Sequence, residues 1–428
     1  MNIYFAALPF LKVFAAFALM LAGMRFKIGL AVSILLGGTF MGLAFGMGIL
    51  DLTTVGGLAL IQEKFLFLAA IVGLIMMLSD GLERSGQSKR LMDSLSSYLI
   101  NPRLRLIFFP ALIGLLPMPG GAIFSAPMVK TVGDELQLKK EDQAVINYWF
   151  RHVWELAWPL YPGIILTVAL AEIPIGALIS RTWPGVVAMY IFGWFFFLRR
   201  GVLGDITVSR EIRSTVKKPK TVLWEGLPLL FAILGALGLE TLIDRVAPGI
   251  PFEWGVIVAL VVAIITIMMQ NRLGAVFLGQ VLSKKSLWVM LGVVAAIFIF
   301  KDIMQAAGIV EEMANVAGGL VALFAAAVFL PLLVGLVAGI NVAFVGATFP
   351  LLLGLLHNLG MDSQTIPYLV IATFAGFTGV MISPIHICFV LTCNYFGANL
   401  VQTWRRLVPP CLCLAGFGCI LFLIIRDL

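Results

Sequence analysis

Long runs of apolar residues constrain the fold of this chain more than any other feature. Runs such as AALPFLKVFAAFALMLAGM and IGLAVSILLGGTFMGLAFGMGIL match the roughly 20 residues that a helix needs to span a bilayer. Only 12% of the residues are charged, against about 25% in a typical soluble domain. The sequence therefore predicts an all-α polytopic integral membrane protein.

Hydropathy predicts about ten transmembrane helices, five in each half of the chain. They lie near 4–23, 27–49, 63–82, 143–170 and 174–198, and then near 225–243, 252–270, 288–306, 366–394 and 405–426. One more apolar stretch, 104–129 or 321–356, lies between the third and fourth crossing of each half. Gly, Pro or Asn interrupts each stretch, so we predict two re-entrant hairpins that enter and leave on one side.

The basic residues predict the orientation, because cytoplasmic loops of membrane proteins are enriched in Lys and Arg. With the N-terminus outside, 22 of the 29 Lys and Arg lie in predicted cytoplasmic segments, many of them in the basic linker 199–224. The net charge of +7 is thus interpreted as an orientation signal in a cell inner-membrane protein, and no nucleic-acid partner is expected.

The two halves, 1–198 and 225–428, resemble each other. Prolines and acidic residues recur at offsets between 219 and 225: Pro9 with Pro228, Asp80 with Asp302, Pro110 with Pro331, and Pro159 with Pro384. Because five crossings per half is an odd number, the second copy is expected to be inverted in the membrane. Inverted repeats with broken helices are typical of secondary transporters, whose sites lie near the midplane.

Irregular backbone at membrane depth is tolerated only where protein or a water-filled cavity surrounds it. The first predicted hairpin turns at LPMPGGA (116–122), and its second arm begins with AIFSAPMVK. Free N–H groups at the start of that arm suit an anion. The second tip contains Gly339 and Asn341, and Asn341 either contacts a ligand or only caps the following helix.

The fourth crossing of each half is also interrupted, at WPLYPG (158–163) and at MISPIH (381–386). Two broken helices and two hairpin tips are expected to converge on one site, where unwound carbonyls suit Na⁺ and helix N-termini suit a carboxylate. Arg151 and Glu155 are spaced i, i+4, so an internal salt bridge and a functional pair both remain open. His152 is expected to point elsewhere, toward the membrane interface.

The candidate site follows from these segments. The expected substrate-binding residues are Pro119, Gly120, Gly121, Ala122, Ser125, Arg151, Tyr161, Asn341 and His386. The expected coupling-ion residues are Glu155, Pro159, Gly339, Asn341, Ser383 and Thr392. A satisfied core histidine at His386, and hydroxyls that bond their own helix backbone, are the structural alternatives. Asp80 and Asp302 are expected to be structural ends of scaffold helices.

The motifs PMPGGAIFSAPMVK and SPIHICFVLT resemble an uncharacterised prokaryotic membrane-protein family, a domain of unknown function. The architecture resembles the ion transporter superfamily, with its divalent anion:sodium symporters, citrate and gluconate permeases, and large membrane subunits of TRAP transporters. That resemblance implies a homodimer in which a transport domain moves as an elevator against a static scaffold.

The expected function is secondary active transport of a small carboxylate-like anion, coupled to Na⁺ or H⁺. A cation/proton antiporter and a membrane subunit of a multicomponent transporter are the alternatives. No GxxxxGK[ST] loop and no zinc-ligand spacing occurs in the sequence, so neither an ATP-driven pump nor an enzyme is expected. No cofactor is expected beyond Na⁺, and the five cysteines are interpreted as packing residues.

Overall fold

The computed structural model describes residues 3–96, 98–99, 101–115, 121–199, 219–247, 250–251, 253–316 and 320–427. These residues form helices joined by short turns, and no strand occurs among them. Nine of the described helical segments are long and apolar enough to cross a membrane. The chain is therefore a multi-pass membrane protein. The predicted tip residues Pro119 and Gly120, and most of the linker 199–224, lie outside the described residues.

The described part of the first half contains ten helices. They are α1 (Ile3–Arg25), α2 (Leu30–Ala44), α3 (Ile49–Ala59), α4 (Glu63–Arg84), α5 (Gln87–Ser96), α6 (Pro102–Gly114), α7 (Ala122–Glu135), α8 (Lys140–Arg151), α9 (Pro162–Ala171) and α10 (Ile175–Gly193). A π-helical turn, Trp194–Leu198, extends α10.

The second half begins with the 28-residue helix α11. Its helices are α11 (Pro219–Val246), α12 (Glu253–Asn271), α13 (Ala275–Leu282), α14 (Lys285–Ala306), α15 (Ile309–Val316), α16 (Leu320–Phe324), α17 (Leu330–Ala338), α18 (Asn341–Asn358), α19 (Thr365–Ile382), α20 (Ile387–Phe396) and α21 (Leu400–Arg426). A π-helical turn, Ala325–Phe329, joins α16 to α17.

The second predicted crossing, 27–49, is shorter in the structure than the sequence pattern predicts. Helix α2 ends at Ala44, and the chain turns through Gly46, whose φ of 93° lies in the region that glycine adopts without strain. The apolar residues beyond this turn belong to a separate helix, α3. The short helices α3, α5, α13 and α15 do not appear among the predicted crossings.

Two hydrophobic clusters organise the packing of the buried side chains. The smaller cluster joins α6, α7 and α8 of the first half with α19, α20 and α21 of the second half. The larger cluster joins α1, α2, α4 and α9 with α11, α12, α14, α17 and α18. The first predicted hairpin and the second predicted hairpin therefore belong to different clusters, and the interrupted helices lie where these clusters meet.

Candidate functional site

The fourth predicted crossing is broken in the structure. Helix α8 ends at Arg151 and α9 begins at Pro162, and residues 152–161 between them form turns. Proline lacks a backbone N–H and is accommodated at the first position of a helix, which explains why α9 restarts at Pro162. We refer to residues 152–161 as the first break.

The first break supplies hydrogen-bond donors to the C-terminal end of α6. The last carbonyls of a helix have no partner within it, and in a membrane protein they must find one elsewhere. Three aromatic side chains of the break fulfil this role: Trp154 Nε1 donates to the carbonyl of Ala111 at 2.9 Å, Tyr161 Oη to Gly114 at 2.7 Å, and Trp158 Nε1 to Leu115 at 2.9 Å. The break and the first arm of the first hairpin are therefore locked together.

A second break lies at Ser383–His386, between α19 and α20. Ser383 Oγ donates at 2.7 Å to the carbonyl of Leu336 in the last turn of α17. A side chain of the second break thus satisfies the end of α17, just as side chains of the first break satisfy the end of α6. Ser383 is 1% exposed, so its hydroxyl is already engaged in the fold.

The turn between α17 and α18 lies directly against the second break. Gly339 adopts a φ of 63°, and a Cβ there would lie 3.0 Å from His386 Cα and 3.3 Å from Ser383 Oγ. Glycine is therefore required at this position for both conformation and space.

Asn341 is the first residue of α18, and no side chain caps this helix end. Its Nδ2 instead donates at 2.7 Å to Oε2 of Glu155 in the first break, while its buried Oδ1 has no hydrogen-bond partner among the residues that the structure describes. The side chain of Glu155 is only 11% exposed. A buried carboxylate from the first half thus meets the tip of the predicted hairpin from the second half.

Arg151 and Glu155 are four residues apart, and each is held by a polar side chain of the site, Tyr161 for Arg151 and Asn341 for Glu155. Because α8 ends at Arg151, the two side chains do not share a helical face. Arg151 is 2% exposed, and its Nη1 donates at 2.8 Å to Tyr161 Oη, which in turn donates to Gly114. The guanidinium is therefore held against the end of α6.

His152 lies in the centre of this site, so the expectation that it points toward the membrane interface is wrong. It is 1% exposed, and its ring centroid lies 5.0 Å from that of His386 and 4.6 Å from that of Tyr148. The two histidines come from different breaks. Sequence reasoning missed this contact, because the end of α8 at Arg151 turns His152 away from the direction that a continuous helix would give it.

Cys388 is a further residue that sequence reasoning did not assign to the site. One ring nitrogen of His152, one of His386 and the sulfur of Cys388 lie within 4.8 Å of one another, and all three residues are buried. Its position two residues after His386, at the beginning of α20, was the available signal.

The remaining predicted site residues lie in three places: the start of α7, the first break and helix α20. Gly121 precedes α7 and Ala122 begins it, and Ser125 Oγ donates at 2.7 Å to Asn147 Oδ1. Asn147 Nδ2 in turn donates to the Ala122 carbonyl at 2.9 Å. The polar side chains at the start of α7 therefore already form hydrogen bonds within the protein. Pro159 lies in the first break, and the buried Thr392 hydroxyl on α20 has no hydrogen-bond partner in the described part of the chain.

Asp80 and Asp302 lie outside this group and take part in structural contacts. Asp80 forms ion pairs with Arg84, at 2.7 Å, and with Lys284. Asp302 accepts a hydrogen bond at 2.6 Å from Gln62. These contacts support the interpretation that both carboxylates secure the ends of long helices.

The sequence matches the family described as "Protein of unknown function (DUF401)" over residues 11–425. No curated protein matches it.

Proposed function

We propose that this chain, which belongs to the DUF401 family of proteins of unknown function, is a secondary active transporter that moves a small organic anion across the cytoplasmic membrane. Transport is coupled to Na⁺ or H⁺. The observation that carries the proposal is the hydrogen bond between Asn341 and Glu155. It joins an interrupted helix of one half to a helix tip of the other half, deep in a protein whose surroundings are apolar.

The order of the helices supports the proposal of a repeated architecture. In each half a long helix is followed by a second helix, a short helix, a long helix and another short helix. Two arms, an interrupted helix and a final long helix then follow in both halves. The ten segments of the first half thus have counterparts in the same order in the second.

The contacts between the halves support an inverted relationship. Helix α9, which follows the first break, contacts α18, the second arm of the other half, and α20 contacts α7 in the corresponding manner. Likewise α2 contacts α14 while α12 contacts α4. Contacts exchanged in this way are expected of two copies related by a pseudo-two-fold axis, the arrangement of many transporters with central sites.

The chemistry of the site suits an anion together with a cation. The guanidinium of Arg151 and the N-terminal ends of α7 and α18 favour a carboxylate. The buried Glu155 carboxylate, with the free carbonyl oxygen of the Asn341 amide beside it, offers oxygen ligands to Na⁺ or a base to a proton. Substrate and coupling ion would therefore occupy neighbouring positions.

The resemblance to the ion transporter superfamily extends this proposal to an elevator mechanism in a homodimer. In such a mechanism α6–α10 and α16–α21 would move together, and α1–α5 with α11–α15 would form the static scaffold. The two hairpins and two breaks all lie in the proposed moving part, so the site would travel as one unit.

The test is uptake by proteoliposomes that contain the purified protein. A panel of radiolabelled dicarboxylates, monocarboxylates and sulfonates is offered under an inward Na⁺ gradient, an inward H⁺ gradient, or neither. We expect saturable uptake that collapses when both gradients are removed. Uptake that is equal with and without both gradients would contradict coupled transport, and empty liposomes provide the background.

A cation/proton antiporter is the second candidate, because the Glu155 carboxylate could exchange H⁺ for a cation without any organic substrate. In that case a pH-sensitive dye inside the liposomes reports proton release on addition of Na⁺ or K⁺. Glu155→Gln keeps the shape of the side chain and removes its charge, so it should abolish this exchange. Exchange retained by Glu155→Gln would exclude the antiporter mechanism based on Glu155.

A further inference from the structure

We propose that His152, His386 and Cys388 form a binding site for Zn²⁺ where the two breaks meet. Their candidate ligand atoms all lie within 4.8 Å of one another. His152 belongs to the first break, while His386 and Cys388 come from the second break and the start of α20. The proposal does not depend on the transport function, because it concerns binding alone.

The imidazole of His386 is buried, with 7% of the residue exposed, and within the described residues neither Nδ1 nor Nε2 forms a hydrogen bond of good geometry. The ring has only a weaker polar interaction with the backbone of Gly339. A buried polar side chain without a partner is costly and requires an explanation. A metal ion bound to one ring nitrogen would supply it.

His152 is already oriented as a metal ligand. Its Nδ1 lies 2.6 Å from the carbonyl oxygen of Tyr148, and since a carbonyl only accepts, Nδ1 must carry the proton. In the neutral ring Nε2 then keeps its lone pair. Metal-bound histidines are commonly fixed in this way, through a hydrogen bond from the other ring nitrogen to a carbonyl or carboxylate.

Glu155 lies beside the cluster, close to His152, and becomes the fourth ligand in this proposal only if its carboxylate moves closer to His386 and Cys388. Its Oε1 lies 3.8 Å from His152 Nε2, while its Oε2 is held by Asn341. A thiolate and a carboxylate together balance the two charges of Zn²⁺, and the guanidinium of the buried Arg151 is then the remaining charge of the site. Thiolate and imidazole ligands select zinc over Na⁺, Mg²⁺ and Ca²⁺, which prefer oxygen.

The spacing of the cluster is slightly wider than in an occupied site. Bonds of 2.0–2.3 Å in a tetrahedral zinc centre place the ligand atoms about 3.3–3.8 Å apart. The cluster would therefore contract by roughly 1 Å on binding. Because its members come from both breaks, the ion would cross-link them.

The experiment uses the full chain, freed of any histidine tag, in detergent, with Co²⁺ as a spectroscopic probe. We expect one Co²⁺ per chain, a thiolate-to-cobalt charge-transfer band in the near ultraviolet, and displacement of Co²⁺ by Zn²⁺. Cys388→Ser should eliminate the band, and His386→Asn should weaken Zn²⁺ binding by at least about 100-fold, since the loss of outer contacts alone costs 10–100-fold. Cys411→Ser, which removes another buried thiol, is the matched control and should keep the band.

Absence of the charge-transfer band in the folded wild-type protein would overturn the proposal, whatever the stability of the variants. A band that persists in Cys388→Ser, or disappears in Cys411→Ser, would equally overturn it. Because transport is not measured, a failure of the uptake experiments leaves these outcomes unchanged.

Discussion

Gly335 of α17 and Gly376 of α19 bring the backbones of their helices into direct contact. A Cβ on Gly335 would collide with the carbonyl oxygen of Gly376 and lie 3.1 Å from the backbone nitrogen of Val380. Gly379 of α19 also lies directly against the backbone of α17, and a Cβ there would lie 2.9 Å from the backbone nitrogen of Leu336. Small residues permit this close approach in membrane proteins, and here it fixes the second break against the second tip.

Alanine at Gly335 or Gly379 should therefore destabilise the protein. The colliding atoms belong to the backbone and cannot rotate away, so each substitution is expected to cost about 1–3 kcal/mol. The measurement is thermal unfolding in detergent, followed by intrinsic fluorescence. Gly292→Ala on α14 is the control, since a Cβ there meets nothing within 4 Å, and its Tm should stay the same or rise. An unchanged Tm for Gly335→Ala would contradict the close packing.

The contact between Asn341 and Glu155 leads to a prediction on transport. Asn341→Ala removes a hydrogen bond to a buried carboxylate, an interaction worth about 1.5–3 kcal/mol. A loss of about 1.5 kcal/mol, the lower end of that range, corresponds to a factor of about ten. The initial rate of coupled uptake should therefore fall at least about tenfold. Asn358→Ala is the matched control, because Asn358 lies at the other, exposed end of α18. Equal rates for the two variants would show that the contact is dispensable for transport.

Asn341→Asp provides a sharper test of the same contact. At neutral pH the new carboxylate faces Glu155, and like charges at this distance repel each other. At acidic pH one carboxyl group becomes protonated and can again donate a hydrogen bond. Uptake by this variant should be low at neutral pH and recover as the pH falls, relative to the wild type at each pH. A constant ratio across the pH range would contradict this expectation.

Glu141 and Asp142 lie in the first turn of α8, outside the apolar spans, and their pKa values shift in opposite directions. The backbone N–H of Asn399 donates to Glu141 at 3.2 Å and is the main reason that the pKa of Glu141 is lowered. Burial raises the pKa of Asp142, despite its ion pair with Arg406. The ionised form of Glu141 thus stabilises the fold, whereas the ionised form of Asp142 opposes it.

These shifts predict opposite effects of neutral substitutions at pH 7. Glu141→Gln should lower the Tm, and the deficit should shrink as the pH falls below the ordinary glutamate pKa of 4.5, because the wild type then loses the same charge. Asp142→Asn should leave the Tm unchanged or raise it, since the half-exposed Arg406 side chain stays solvated. Thermal scans across this pH range test both. A larger loss from Asp142→Asn than from Glu141→Gln would contradict the assignment.

The positions of the two breaks were predictable from the sequence because proline acts locally. A proline inside an apolar run removes a backbone hydrogen bond, so WPLYPG and MISPIH marked the interruptions correctly. The same argument predicts that protein or a water-filled cavity must surround them. The sequence could not predict that the first break begins as early as His152, because no proline marks that end.

The partners within the site were less predictable. The contact between Asn341 and Glu155 joins residues 186 positions apart, and only the fold brings them together. His152 and Cys388 lie in apolar segments without a metal-ligand spacing, so their proximity to His386 depends on how the two breaks pack. Short helices such as α3 were missed because hydropathy windows merge them with their apolar neighbours.

Removal of the Tyr161 hydroxyl should show how much the hydrogen bonds of the first break contribute to the stability of the fold. Its hydroxyl accepts a hydrogen bond from the buried Arg151 guanidinium and donates one to the Gly114 carbonyl at the end of α6. Tyr161→Phe therefore leaves a buried cation with one partner fewer and a helix-end carbonyl without its donor. Since each such loss costs about 1–3 kcal/mol, the Tm should fall clearly.

Tyr395→Phe is the control for this prediction, because Tyr395 is 39% exposed and its hydroxyl secures no helix end among the described residues. The Tm of this variant should match that of the wild type. If Arg151 also binds the anion, Tyr161→Phe should raise the KM for uptake as well, since the guanidinium loses the hydroxyl that orients it. A Tyr161→Phe protein with unchanged Tm and unchanged KM would show that neither the end of α6 nor the position of Arg151 depends on this hydroxyl.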